Sequence, residues 1–210
     1  MPPKTKRLTK KEQQARARKQ VLDKVNGVTD FLVEFAPFST YDTNDGVYQV
    51  RSLRAANLTE NEKTQIVELF CANMQSFYEQ SSWGFDLEAK RTELFEEKAR
   101  YFIVNSVPGM VDAFMHFRFF EDDGAEVAYV YELQVGPNLQ RKGVGKRLMQ
   151  MLELISTKYK LKWIVLTVFK ANESAMQFYT KKMGFEIDDT SPSQHDNTEE
   201  SYEILSKQLM

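Results

Sequence analysis

Apolar positions along this chain follow two rhythms, and together they predict helices packed around a mixed sheet. Ile66, Leu69, Phe70, Met74, Phe77 and Tyr78 fall at helical spacing behind a Thr59–Glu62 capping box, so a helix is expected from there to about Glu79. Helix formers also dominate Lys11–Val25, where Val21, Leu22 and Val25 form a short stripe, and Asp86–Lys98, beyond the break Ser81-Ser82-Trp83-Gly84. Runs rich in β-branched and aromatic residues predict strands at Val47–Leu53, Arg100–Asn105, Met110–Phe120 and Glu126–Val135. The turns Ser106-Val107-Pro108-Gly109 and Asp122-Asp123-Gly124 make the last three antiparallel neighbours. A helix over Gly143–Lys158, a strand over Trp163–Phe169 and a helix over Glu173–Met183, ended by Gly184, come next. Strands at Phe185–Asp188 and Ser201–Leu205 close the chain, separated by the polar stretch Asp189–Glu200. The predicted order is β-α-α-β-β-β-α-β-α-β-β, an α/β chain of the α+β mixed-sheet kind with helices flanking the sheet.

Length and charge refine this picture. With 210 residues, one domain with extensions is expected: a basic arm and short helix over 1–25, a linker packing on the body over 26–46, and the main domain over 47–210. The linker reading rests on the turn-rich FAPFSTYDTNDG at 35–46, and residues 1–10 are expected to be disordered. The net charge of −2 conceals an asymmetry, because residues 1–20 hold eight Lys or Arg against Glu12 alone. The remainder carries 20 basic and 29 acidic residues, a net of −9. A basic arm on an acidic body suggests separate partners, with the arm contacting nucleic acid or the ribosome, directing nuclear import, or simply solvated. No apolar run approaches the ~18 residues of a membrane span, and no signal-peptide core is visible, so no membrane partner and a nuclear and cytoplasmic location are expected. Cys71 is the only cysteine, and with His116 and His195 it makes no convincing metal site. No long apolar seam is left for a second copy, so a monomer is expected.

The chemistry concentrates in Glu126–Leu148, EVAYVYELQVGPNLQRKGVGKRL. A strand runs into the break Gly136-Pro137-Asn138 and then a glycine-spaced turn that opens a helix. Such a helix start offers unpaired N–H groups and partial positive charge, so it suits phosphate oxygens, and glycines permit close backbone approach. The alternative is an ordinary β-to-α turn whose glycines serve packing. Glu132 is a carboxylate inside an apolar strand, which costs desolvation and therefore suggests use; the alternative is a salt-bridged structural role. Strict alternation would place Tyr129 and Tyr131 on one face of that strand and Glu132 on the other, unless a bulge intervenes.

Gln140-x-x-Gly143-x-Gly145 after the fourth predicted strand resembles the signature of the GNAT family of acetyl-CoA-dependent N-acetyltransferases. Asn172-Glu173-Ser174-Ala175-Met176-Gln177-Phe178-Tyr179 followed by Met183-Gly184-Phe185 resembles the same family's N-x-x-A-x-x-F-Y…G-F segment, the likeness covering about residues 47–205. NMQSFYEQSSWG, FMHFRF, YVYELQV, RKGVGK, LTVFKAN, FEIDDTSPS and SYEILS are similar to NatD-type N-terminal acetyltransferases, which act on the α-amine of histones H-four and H-two-A beginning Ser-Gly-Arg-Gly.

The resemblance implies a GNAT fold splayed between the fourth and fifth strands, acetyl-CoA as co-substrate, no metal, and histone tails as partners. It implies cofactor contacts at Leu133, Gln134, Val135, Gln140, Arg141, Lys142, Gly143, Val144, Gly145, Lys146, Thr167, Asn172, Ala175 and Tyr179. It further implies an acceptor site formed by Tyr78, Trp83, Asp122, Tyr129, Tyr131, Glu132 and Tyr202. Glu132 is the candidate general base, Tyr179 the candidate general acid, and Tyr131 completes the catalytic set. Phe120 stands where an acid fits the family, so Asp122, or Glu121 by a local shift, is expected to read the tail's arginine.

Overall fold

In the computed structural model, described over residues 9–44, 46–195, 197 and 199–209, eight strands form a single sheet. The beginning of the basic arm, including Lys4, Lys6 and Arg7, lies outside the described residues, as does most of the stretch expected to be disordered. The elements in order are α1 (Lys10–Gly27), β1 (Thr40–Thr43), β2 (Gly46–Arg54), α2 (Glu60–Glu79) and α3 (Leu87–Leu94). They continue with β3 (Arg100–Asn105), β4 (Ala113–Asp122), β5 (Ala125–Val135), α4 (Val144–Lys158) and β6 (Trp163–Phe169). Then come α5 (Glu173–Gln177), running into a π-helical turn at Phe178–Lys182, β7 (Glu186–Ile187) and β8 (Tyr202–Gln208).

The strands stand in the order β1-β2-β3-β4-β5-β6-β8-β7. Every pairing is antiparallel except β5 with β6. Strand alternation supplies two cores. Phe102, Val104, Met115 and Phe117 face α1 and α4, whose Val25, Leu148, Leu152 and Ile155 are fully or nearly fully buried. Tyr101, Ile103 and Phe114 point the other way, against Ile66, Val67, Phe70 and Leu94 of α2 and α3. Each such apolar side chain contributes roughly 1.5–3 kcal/mol by leaving water.

Several boundaries depart from the sequence expectation for visible reasons. The stretch read as a linker contains β1, because Thr40 to Thr43 pair with Gln49 back to Gly46 and extend the sheet edge. Turn-forming residues around it obscured four residues of strand. The helix expected to reach Lys98 stops at Leu94, where Phe95 leaves helical geometry and Ala99 N–H bonds the Glu96 carbonyl at 2.9 Å. Met110 to Asp112 stand before β4, held by Asp112 N–H on the Val104 carbonyl and Gly136 N–H on the Asp112 carbonyl. β8 extends to Gln208 because it pairs along the whole of β6.

Two features shape the working end of the sheet. β5 and β6 pair only from Val127 and Trp163 to Val130 and Leu166. Beyond that point β5 stays with β4 and β6 with β8, so a gap opens between them. The register between β4 and β5 also shifts: His116 faces Glu132 while Phe117 faces Val130, leaving Tyr131 as the extra residue of a bulge.

Candidate active site

The bulge settles the question of strand faces. Tyr129 lies opposite Arg118, whose guanidinium reaches Glu93 and Glu96 on the α3 side, and Glu132 lies opposite His116 on that same side. Tyr131 falls between them and keeps its ring there too, 4.9 Å from that of Tyr129 and 4.8 Å from that of His116. Of the two arrangements the sequence left open, the structure has the bulged one, because one inserted residue resets the alternation. Tyr129, Tyr131 and Glu132 line one cleft of about 800 Å³.

Glu132 is 5 % exposed and fully engaged. Its Oε1 lies 2.5 Å from Nζ of Lys90 on α3, and its Oε2 accepts from Gln134 Nε2 at 2.8 Å. Asn73 of α2 in turn donates to Gln134 Oε1 at 2.9 Å. Lys90 reaches Glu93 at 2.5 Å and donates to the Tyr78 hydroxyl at 3.1 Å. Burial pushes the Glu132 carboxyl up from the ordinary carboxylate range, and Lys90 opposes that shift. For Lys90, burial favours the neutral amine, but the charges of Glu132 and Glu93, with the Tyr78 oxygen accepting beside them, outweigh it and hold the ammonium above the usual lysine range. Tyr78 is pushed up to about 12, by burial and then by the Glu132 charge.

At the other end of the cleft the chain builds an anion cradle. Gly143, at φ +87°, caps α4, so the first amides of that helix point outward without intrahelical acceptors. Arg141 takes a left-handed φ of 63° to make the turn. Tyr41 of β1 supports the turn from behind by donating to the Lys142 carbonyl, and a Cβ on Gly143 would come within 2.8 Å of the Tyr41 hydroxyl. Arg147 bonds the carbonyls of Pro37 and Thr40 at 2.5 and 3.0 Å, tying α4 to the same segment. Gln140, Arg141, Gly143, Val144, Gly145 and Lys146 line the cleft here; Lys142 does not.

Between the two ends runs the gap beside β5. Leu133, Gln134 and Val135 border it on one side, and Thr167, Asn172, Ala175 and Tyr179 on the other. Gly136 suits the opening because a Cβ there would meet the Asp112 carbonyl at 2.7 Å. The Val135 carbonyl accepts from Asn73 and Gln140 at 3.3 and 3.1 Å. Asn172 caps α5 through the Ala175 N–H at 3.1 Å. Tyr179 sits in the π-helical turn, with its phenol pushed well up by burial and then by Glu132.

The Glu132 end of the cleft is roofed by aromatic rings. Trp83, on the connection between α2 and α3, packs 5.2 Å from Phe169 and 4.8 Å from Tyr202, and Tyr78 meets Phe169 at 4.9 Å. The Tyr129 hydroxyl bonds Thr167 Oγ1 at 2.6 Å. Tyr202 thus stands behind Trp83 and is not among the residues lining the cleft. Asp122 is exposed at the end of β4, also outside the cleft lining, though its charge acts on Tyr129. Phe120 stacks on Tyr129 at 5.9 Å, whereas Glu121 is turned to the opposite face and pairs with Arg18 of α1 at 3.0 Å. Lys90, Glu93 and Asn73 were missed by sequence reasoning. The available signal was the spacing Leu87–Lys90–Leu94, which puts a lysine on the buried face of a helix.

Comparison with known proteins agrees with this geometry. Residues 64–185, more than half of the chain, match the model of the acetyltransferase (GNAT) family. Similar solved structures include that of the NatC complex bound to Gag peptide and CoA, at 16 % identity and a TM-score of 0.57, covering 78 % of this chain and 99 % of that one. The PaiA N-acetyltransferase from Thermoplasma acidophilum in complex with coenzyme A is 17 % identical with a TM-score of 0.54, over 77 % and 98 %. Ard1 from Thermoplasma volcanium is 16 % identical with a TM-score of 0.53, over 78 % and 98 %. At such identities these structures speak for the fold, and the family match speaks for the chemistry: the chain belongs to the acetyltransferase (GNAT) family and is an acetyl-CoA-dependent N-acetyltransferase.

Proposed function

We propose that this enzyme acetylates the α-amine of a peptide's first residue, and that its substrates are tails beginning Ser-Gly-Arg-Gly, as in histones H-four and H-two-A. The observation that carries this reading is the bulge at Tyr131, which puts two tyrosines and one carboxylate at the end of a cleft roofed by Trp83. An N-terminal backbone needs hydroxyl partners for its peptide groups, and Tyr78, Tyr129 and Tyr131 supply them there. Rings packed this closely favour a small first side chain such as serine.

The amine must be neutral to attack. An α-amine of pKa near 8 is about a tenth neutral at pH 7, whereas a lysine amine near 10.4 is below about a thousandth. A modest base therefore suffices, and Glu132 is proposed to accept the amine proton, directly or through a water. The cleft fits acetyl-CoA, since the α4 amides with Arg141 and Lys146 suit a pyrophosphate and the β5–β6 gap suits an extended arm. Acetyl-CoA supplies the thioester carbonyl that the amine attacks. Tyr179, which holds its proton at neutral pH, is proposed to donate it to the departing sulfur. Asp122, near Tyr129 at the end of β4, is proposed to read the tail's arginine. Lys10, Lys11 and Arg16 stand exposed along α1 and would extend the basic arm toward nucleic acid, consistent with a proposed nuclear and cytoplasmic location.

The test is acetyl transfer to a Ser-Gly-Arg-Gly peptide with free and with blocked α-amine, the modified site mapped by mass spectrometry. Transfer to the free amine alone is expected; modification of lysine in the blocked peptide would overturn the α-amine assignment. Glu132→Gln is expected to lower kcat by about 100-fold or more while CoA binding is kept.

A further inference from the structure

Lys90 carries an ammonium 7 % exposed, held between three elements: Glu132 on β5, Glu93 on its own helix and the Tyr78 hydroxyl from α2. The Phe70 and Tyr78 rings lie 4.9 and 5.5 Å from its Nζ. A buried ion pair is a poor way to stabilise a fold, because desolvating both charges offsets most of their attraction and apolar side chains of similar volume do as well or better. The pair also stands at one end of the cleft, where its two members and Glu93 all contribute to the lining. Glu93, unlike Lys90, is partly exposed, at 38 % of its side chain.

We propose that Lys90 is a positioning residue for acetyl transfer: it keeps the Glu132 carboxylate ionised and oriented toward the acceptor amine, and Glu93 moderates that influence. This rests on Glu132 being the base. The geometry leaves Lys90 as the cation in contact with that carboxylate. Tyr78, Tyr101, His116 and Tyr179, which also face Glu132 from α2, β3, β4 and the turn after α5, are all neutral in their held states. Arg118 is committed to Glu96 and the Glu93 carbonyl. Among the described residues, the other oxygen of Glu132 accepts from the neutral amide of Gln134.

Removing either charge around Lys90 should act on the acid limb of the kcat/KM profile, in opposite directions. Lys90→Gln leaves Glu132 without its cation, so the limb moves up by about one pH unit or more, and activity returns as pH rises. Glu93→Gln frees Lys90 from a competing anion, so the limb moves down. Lys90→Arg keeps the charge and should stay near the native position. A residue that only supported the fold would change stability and the height of the profile, not its position. The profiles are recorded with acetyl-CoA and the free-amine peptide, together with thermal melts, and beside Glu132→Gln. If Glu132→Gln leaves kcat unchanged, the base assignment fails and this proposal with it. If Glu132→Gln is impaired but Lys90→Gln and Glu93→Gln both keep the native limb, Lys90 has no such role. Should Lys90→Gln fail to fold, the downward shift in Glu93→Gln together with a native limb in Lys90→Arg decides for the proposal, and an unmoved or upward limb in Glu93→Gln decides against it.

Discussion

Tyr179 shows how one side chain's surroundings set its chemical use. Its ring is packed between Phe178 and Phe185, at 5.0 and 5.8 Å, and only 8 % of the residue is exposed. Burial and the nearby Glu132 both disfavour the phenolate, so the hydroxyl is a donor throughout the neutral range. Tyr179→Phe keeps the packing and removes only that donor. Steady-state kinetics with acetyl-CoA and peptide should then show kcat reduced by about 100-fold, the loss expected for the proposed general acid, with the KM for acetyl-CoA little changed. Of the residues around this point, Glu132 could be read from the sequence because a carboxylate in YVYELQV has no cheap structural excuse. Lys90 could not be read so directly, since LEAKRTEL is charged at half its positions and looks like a solvated helix. Its partner lies on a strand some forty residues away, and no local pattern announces a contact of that kind.

Among the elements, the short edge strand β1 is the least expected. It holds the Tyr41 hydroxyl against the Lys142 carbonyl, and a Cβ on Gly143 would push that hydroxyl aside. An edge hairpin thereby sets the shape of the turn that opens α4 from outside the cleft. Gly143→Ala must adopt a left-handed backbone at about 1–2 kcal/mol and also displace Tyr41, so acetyl-CoA should bind roughly tenfold more weakly by calorimetry. Tyr41→Phe removes the bond without the clash and is expected to cause a smaller loss in the same direction. The helices and inner strands were readable because apolar spacing repeats across many residues. β1 has four residues and the bulge only one, too few for any period to register. The gap beside β5 was foreshadowed by Gly136-Pro137, but only the pairing itself shows that it begins at Val130.

At the scale of the whole molecule, the site makes folding sensitive to acid. His116 is completely buried, stacked between Tyr101 and Tyr131 at 5.2 and 4.8 Å, and its Nε2 takes the Arg118 Nε at 3.3 Å. Burial, and then the Lys90 charge, pull its pKa down to about 3 from the ordinary 6.5. Below about pH 6.5 the unfolded chain takes up a proton that the folded chain refuses, so stability falls as pH falls, by up to roughly 1.4 kcal/mol per unit until about pH 3. The carboxylates held below their usual 4.5, such as Glu62 and Glu203, add their own losses only nearer that value. Urea unfolding at about pH 5 and 6.5 should therefore show a drop that His116→Gln largely removes. The two-sided architecture itself followed from the order of periodic segments, whereas which face would hold the chemistry depended on one inserted residue in β5.

The aromatic roof over the Glu132 end of the cleft has a use that chemistry alone would not suggest. Of the two tryptophans in the chain, Trp163 begins β6 as a half-buried strand residue, while Trp83 is 49 % exposed on a connection that turns at Gly84 with φ +68°. A peptide entering the cleft would displace water from the Trp83 indole and leave Trp163 as it was. Trp163→Phe would thus leave Trp83 as the single tryptophan, at the Glu132 end of the cleft, to be excited selectively over the tyrosines. Titration with a Ser-Gly-Arg-Gly peptide should shift its emission to shorter wavelength in a saturable way, and Trp83→Phe in the same background should abolish the signal. Trp83 would then serve as an optical gauge of the proposed peptide's occupancy of the cleft.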